Sequence, residues 1–130
     1  MKSFVRLAVI MLALIPAMSF AQSSKTAWKE MKTFHSFMSG TFHPSEEGNF
    51  KPLKEKADSL LIAAKAWQAS KIPAGFKLKE TKETLAKLVN QCENIAGAVK
   101  ANAADEKLKV LIADAHDIFH QIVEKCRTED

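Results

Sequence analysis

The stretch that decides the fold is Trp28-Lys29-Glu30-Met31-Lys32-Thr33-Phe34-His35-Ser36-Phe37-Met38-Ser39-Gly40-Thr41-Phe42.

 Within it Trp28, Met31, His35, Met38 and Phe42 recur at spacings of three, four, three and four, which puts them on one face of a helix. A helix with such a stripe must bury it against other helices. The same spacing returns three times. Leu53, Ala57, Leu60, Ala64 and Trp67 form a second seam, widened by Leu61. Leu78, Thr81, Leu85, Leu88, Cys92, Ile95 and Val99 form a third, and Leu108, Ile112, Ala115, Phe119, Ile122 and Cys126 a fourth. No stretch alternates with period two, so strands are not expected. The pattern predicts an all-α, up-down-up-down antiparallel four-helix bundle.

The boundaries follow from local signals. The first helix is expected from about Lys25 to Ser39, then a loop through Gly40 and His43–Asn49. Asn49 and Pro52 suit the start of the second helix, and Pro73 and Gly75 break the chain between Ser70 and Phe76. From Ala98 to Asp130 there is neither Gly nor Pro. The seam phase nevertheless breaks there: continued from Val99 it reaches Glu106 and Ala113, whereas the apolar residues are Leu108 and Ile112. A turn is expected near Asn102–Ala104, with Asn102 capping the new helix.

Residues 1–21 read as a signal peptide, with Lys2 and Arg6 in the n-region, an apolar run from Leu7 to Ala17, and Ser19-Phe20-Ala21 before cleavage at Gln22. That run is too short for a membrane span, and no second one occurs. The bundle is therefore expected to comprise residues 22–130, exported to the periplasm or secreted. Without Lys2 and Arg6, the 19 basic residues fall to 17 against 15 acidic ones, a net charge of about +2. Such a balance gives no footprint for nucleic acid. Gly-rich phosphate loops, nucleophile elbows and paired catalytic carboxylates are missing, and Glu-x-x-His, the signature of di-iron bundles, does not occur. The expectation is a protein that is not an enzyme.

Two cysteines in an oxidising compartment invite a disulfide. A hairpin turning near Ala103 sets Cys126 opposite Glu80, however, twelve residues or roughly 18 Å from Cys92, beyond the ~7 Å Cα limit. Two buried free thiols are expected.

The histidines carry the functional reading. His35, within the first seam, is either a hydrogen-bonded core residue or a ligand aimed into the bundle. If the connections centre near Ser45, Ala74 and Ala103, it lies level with Glu55, Glu93 and Ala113, and His116 and Cys92 fall within a turn. His35, His116 and Cys92 are therefore the expected ligands of a transition metal, zinc or copper. His116 sits roughly 85° and His120 roughly 125° from the centre of the fourth seam. His116 is then a flank residue and His120 faces solvent, with Asp117 placed to orient it. Glu46 and Glu47, beside His43, either complement the next helix dipole or serve a metal. Trp28, Phe34 and Phe37 make an aromatic surface, and Phe37 needs cover from the long loop or from a second copy in a homodimer. A ligand-free interaction or chaperone-like bundle using that surface is the rival reading.

The exported layout and the stretch Ala115-His116-Asp117-Ile118-Phe119-His120-Gln121 resemble the cytochrome c-prime and b-type four-helix cytochrome superfamily. The c-prime members attach haem through Cys-x-x-Cys-His, and here Ile112 and Ala115 stand where its cysteines would be. The b-type members hold haem between a methionine of the first helix and a histidine of the last. Met31 and His120-Gln121 resemble that pair, so the likeness implies a non-covalent haem on Met31 and His120, with a role in electron transfer or metal handling.

Overall fold

A computed structural model describes residues 28–128. The expected signal peptide and the start of the first helix at about Lys25 lie outside these residues. Four α-helices follow one another: α1 (Lys29–Glu46), α2 (Lys51–Ala69), α3 (Leu78–Lys100) and α4 (Asp105–His120), the last extended by a single π turn over Gln121–Lys125. Each helix packs on the next and α1 closes against α4, so the four-helix bundle expected from the seams is the observed fold.

The seams of α2, α3 and α4 are buried along the spacings read in the sequence. Leu53, Leu60, Ala64, Trp67, Leu88, Cys92, Ile95, Leu108 and Ala115 are all fully enclosed. Leu78 is an exception, because it lies at the first turn of α3 and is exposed. In α1 one position of the expected seam differs, with Trp28, Met31, Met38 and Phe42 buried as expected. The buried positions of α1 are Met31, Phe34, Met38, Thr41, Phe42 and Ser45, while His35 is exposed. Spacing cannot separate the two paths, since Met31 reaches Met38 through Phe34 or through His35 with equal regularity. Hydration separates them: a phenyl ring gains about 1.5–3 kcal/mol on burial, whereas a buried imidazole needs polar partners.

The first helix also runs seven residues beyond the expected end at Ser39. Gly40 does not stop it, and Pro44 lies inside it. Pro44 has no N–H for the Gly40 carbonyl, but Gly40 is exposed, so water can satisfy that oxygen. Buried Thr41 and Ser45 return their hydroxyls to the carbonyls of Phe37 and Thr41, at 2.8 and 2.7 Å. The true stop is Gly48, at φ +84. Asn49 N–H bonds to Pro44 O at 2.8 Å and Gly48 N–H to Ser45 O at 3.1 Å, the paired bonds of a Schellman ending.

The same ending closes α3. Asn102 takes φ +53, Ala103 N–H bonds to Ala98 O at 3.0 Å, and Asn102 N–H bonds to Val99 O at 3.1 Å. The turn lies where the phase break predicts it. Asn102, however, terminates α3 rather than capping α4, whose N-cap is Ala104.

At the opposite end, Trp28 and the segment after the π turn converge on the α2–α3 connection. The Trp28 indole N–H donates to Ser70 Oγ at 2.8 Å, and Ser70 Oγ donates to Trp67 O at 2.6 Å. Trp28 meets Trp67 and Phe76 edge-on. Beyond the π turn, Lys77 N–H bonds to Cys126 O at 2.7 Å and Thr128 N–H to Gly75 O at 2.9 Å, and the Arg127 guanidinium lies over the Phe76 ring.

Candidate metal centre

All four histidines of the chain stand on α1 and α4 (His35 and His43 on one, His116 and His120 on the other). The antiparallel contact sets their levels. The His35 ring stacks on Phe119 at 5.2 Å with 4° between planes, and the His116 ring stacks on Phe42 at 3.8 Å and 9°. His35 is therefore level with Phe119 rather than Ala113. From the level of Phe42, where His116 sits, it is seven residues away, about 10 Å along α1. The structure does not bring His35 and His116 together.

Cys92 is not joined to them either. Its side chain is fully enclosed on α3, and burial pushes its thiol up to about 12, so without a metal it stays protonated, and it forms no group with the histidines as the side chains stand. Cys126 is also buried, its Sγ 3.6 Å from Thr84 Oγ1. Thr84 precedes Cys92 by eight residues, about 12 Å of helix. The two free thiols are held at separate levels, as the hairpin argument requires.

His116 and His120 do converge. One turn apart on α4, they bring their Nε2 atoms to 3.1 Å. His120 Nδ1 lies 3.0 Å from Glu124 Oε1. With its Nδ1–H donated to that carboxylate, His120 presents a lone pair at Nε2 toward His116. Glu124, not Asp117, thus orients His120, a partner set by the turn that follows α4 and not by the preceding one. His116 is half-buried as a flank residue should be, and Phe42 covers one face of its ring, which restrains rotation. Its pKa is lowered from the usual histidine value, first by burial and then by neighbouring His120, which favours the neutral imidazole. His43 adds to that lowering, while Asp117 and Glu46 oppose it.

With metal–nitrogen bonds of about 2.0–2.1 Å, two nitrogens 3.1 Å apart subtend about 100° at an ion. That value lies between the square-planar and tetrahedral angles that copper(II) and zinc(II) adopt. The pair can therefore chelate one cation, which would replace the proton now shared between the rings. As the side chains stand, no group of three or more His, Cys, Asp or Glu residues is arranged around one point among the described residues.

The residues fit a haem less well. Met31 is buried in α1. The interior beside it is filled by Phe34, Trp67 and Phe119, whose ring centroids are 5.4–5.9 Å apart. A porphyrin between Met31 and His120 would have to displace that cluster. The aromatic surface changes as well: Trp28 and Phe34 are interior, and only Phe37 remains half-exposed. Comparison with protein-family models, curated proteins and solved structures found no match.

Proposed function

We propose that this chain is an exported four-helix bundle that binds a transition metal, copper(II) or zinc(II), through His116 and His120 and serves in metal handling. One observation carries the reading: the two Nε2 atoms meet at 3.1 Å while Glu124 holds the far side of His120. A carboxylate behind a ligating imidazole fixes its ring and raises its basicity. The filled interior favours a bare ion over haem, and the burial of Trp28 and Phe34 removes most of the surface that an interaction module would use. Export rests on the charged and apolar N-terminal segment of the sequence.

Competition titration with Zn(II) and Cu(II) tests the reading. Replacing both ligands by glutamine, His116→Gln with His120→Gln, keeps polar size and should weaken binding by at least tenfold. Equal affinity of parent and double variant would show that the pair is not the site.

A further inference from the structure

We infer that His43 supplies a third imidazole to the His116–His120 ion, so that the metal ties α1 to α4. The inference rests on the His-pair reading above and deepens it. Phe42 is stacked against His116 at 3.8 Å, which sets the turn of α1 that carries His43 beside the pair. His43 is two-thirds exposed at its side chain, and its nearest charged partner, Glu46 Oε2, is 3.8 Å from Nδ1, too far to fix the ring. The imidazole is thus free to change rotamer, whereas His116 is restrained by Phe42.

The two helices also repeat one arrangement. On α4 a carboxylate one turn on, Glu124, faces Nδ1 of His120; on α1 Glu46 faces Nδ1 of His43 in the same sense. A carboxylate stands on the Nδ1 side of each ring, hydrogen-bonded at His120 and only nearby at His43, and each Nε2 is left for a ligand. Three neutral imidazoles suit either zinc(II) or copper(II), and Glu46 and Glu124 offset the ion's charge from outside the ligand set.

The site has a mechanical signature that a pair confined to α4 lacks. A cation held by both helices stabilises the closing contact of the bundle, and its effect on thermal unfolding grows with the ratio of ion to dissociation constant. The test compares the parent, His43→Ala and the exposed control His35→Ala, which lies two turns away. Each is titrated with Zn(II), melted with and without Zn(II), and loaded with Cu(II) for electron paramagnetic resonance. The expected result is at least tenfold weaker Zn(II) binding by His43→Ala and a loss of most of the Zn(II)-induced rise in Tm. The Cu(II) spectrum should drop from three coupled nitrogens to two, with His35→Ala like the parent. His43→Ala binding Zn(II) like the parent, while His116→Gln with His120→Gln loses it, would overturn the third ligand alone. A parent that binds neither ion overturns both this inference and the reading beneath it.

Discussion

The two halves of the bundle share one architecture and differ at their edges. Where α2 meets α3, small and aliphatic side chains such as Ala57, Leu60, Leu88 and Val89 are bordered by lysines and acids that stay in water. Where α4 closes on α1, the border is made of rings: Phe42 and Phe119 reach the margin, and His116 and His35 lie flat upon them. A charged lysine beside a seam keeps its hydration and offers no lone pair. A neutral imidazole on an aromatic face gives up part of its hydration and keeps one. Chemistry in this molecule is therefore expected at the half-open edge, and inertness in the sealed half.

The largest effect that can break this contrast concerns the thiol of the sealed half. Raising the Cys92 pKa from 9.0 to about 12 leaves roughly a thousandfold less thiolate. In the native protein Cys92 should resist a thiol reagent, and both cysteines should react under denaturing, non-reducing conditions. Rapid native labelling at Cys92, located by peptide mass mapping, would show that this half is open.

A pair of neighbouring variants sharpens the phase of α1. Phe34→Ala should cost about 3–5 kcal/mol, because it empties a site enclosed by Trp67 and Phe119. His35→Ala, one residue on and exposed, should cost less than about 1 kcal/mol. Denaturant unfolding that gave the two equal costs would restore His35 to the seam.

The two glycines of the α1 end give opposite signs. Gly48→Ala should destabilise by about 1–2 kcal/mol, since alanine is forced to positive φ. Gly40→Ala should stabilise by about 1 kcal/mol, because the position is helical and an added Cβ meets nothing within 4 Å. Urea midpoints decide both, and a stabilised Gly48→Ala would contradict the Schellman ending.

The smallest effect is a dependence on pH confined to the ring-bordered edge. The folded pKa of His116 lies below its unfolded value near ~6.5, so the unfolded chain takes up the proton first. This contribution leaves stability intact above that pH and erodes it as pH falls toward the lowered folded value. His116→Gln should show a shallower loss between pH 7 and 5.5 in urea unfolding than the parent. Metal affinity falls over the same range, as protons compete for the imidazoles. An unchanged slope would mean that His116 is not desolvated.

The sequence discloses the bundle through α2, α3 and α4, where leucine, isoleucine and alanine leave one consistent phase. It misleads at α1 because Phe34 and His35 are adjacent and each completes a regular stripe, and because Thr41 and Ser45 carry hydroxyls that look solvent-bound. Their burial depends on bonds to carbonyls one turn back, which no hydropathy pattern records. The pairing of His116 with His120 was readable as a spacing, and Glu124, four residues on, carried the signal for the orienting carboxylate. The nearness of His43 to that pair was not, since it depends on the level at which α1 crosses α4. The same level separates His35 from it.

Trp28 and Thr128 both anchor to the short span between Ser70 and Lys77, at one end of the molecule. A force applied at Trp28 and Thr128 would therefore act across the bundle and not along it. It would load the indole–hydroxyl bond and the tail's backbone bonds one after another, as in a zipper, while the helix seams beyond carried little strain. Such a body should peel open at low tension from that single corner.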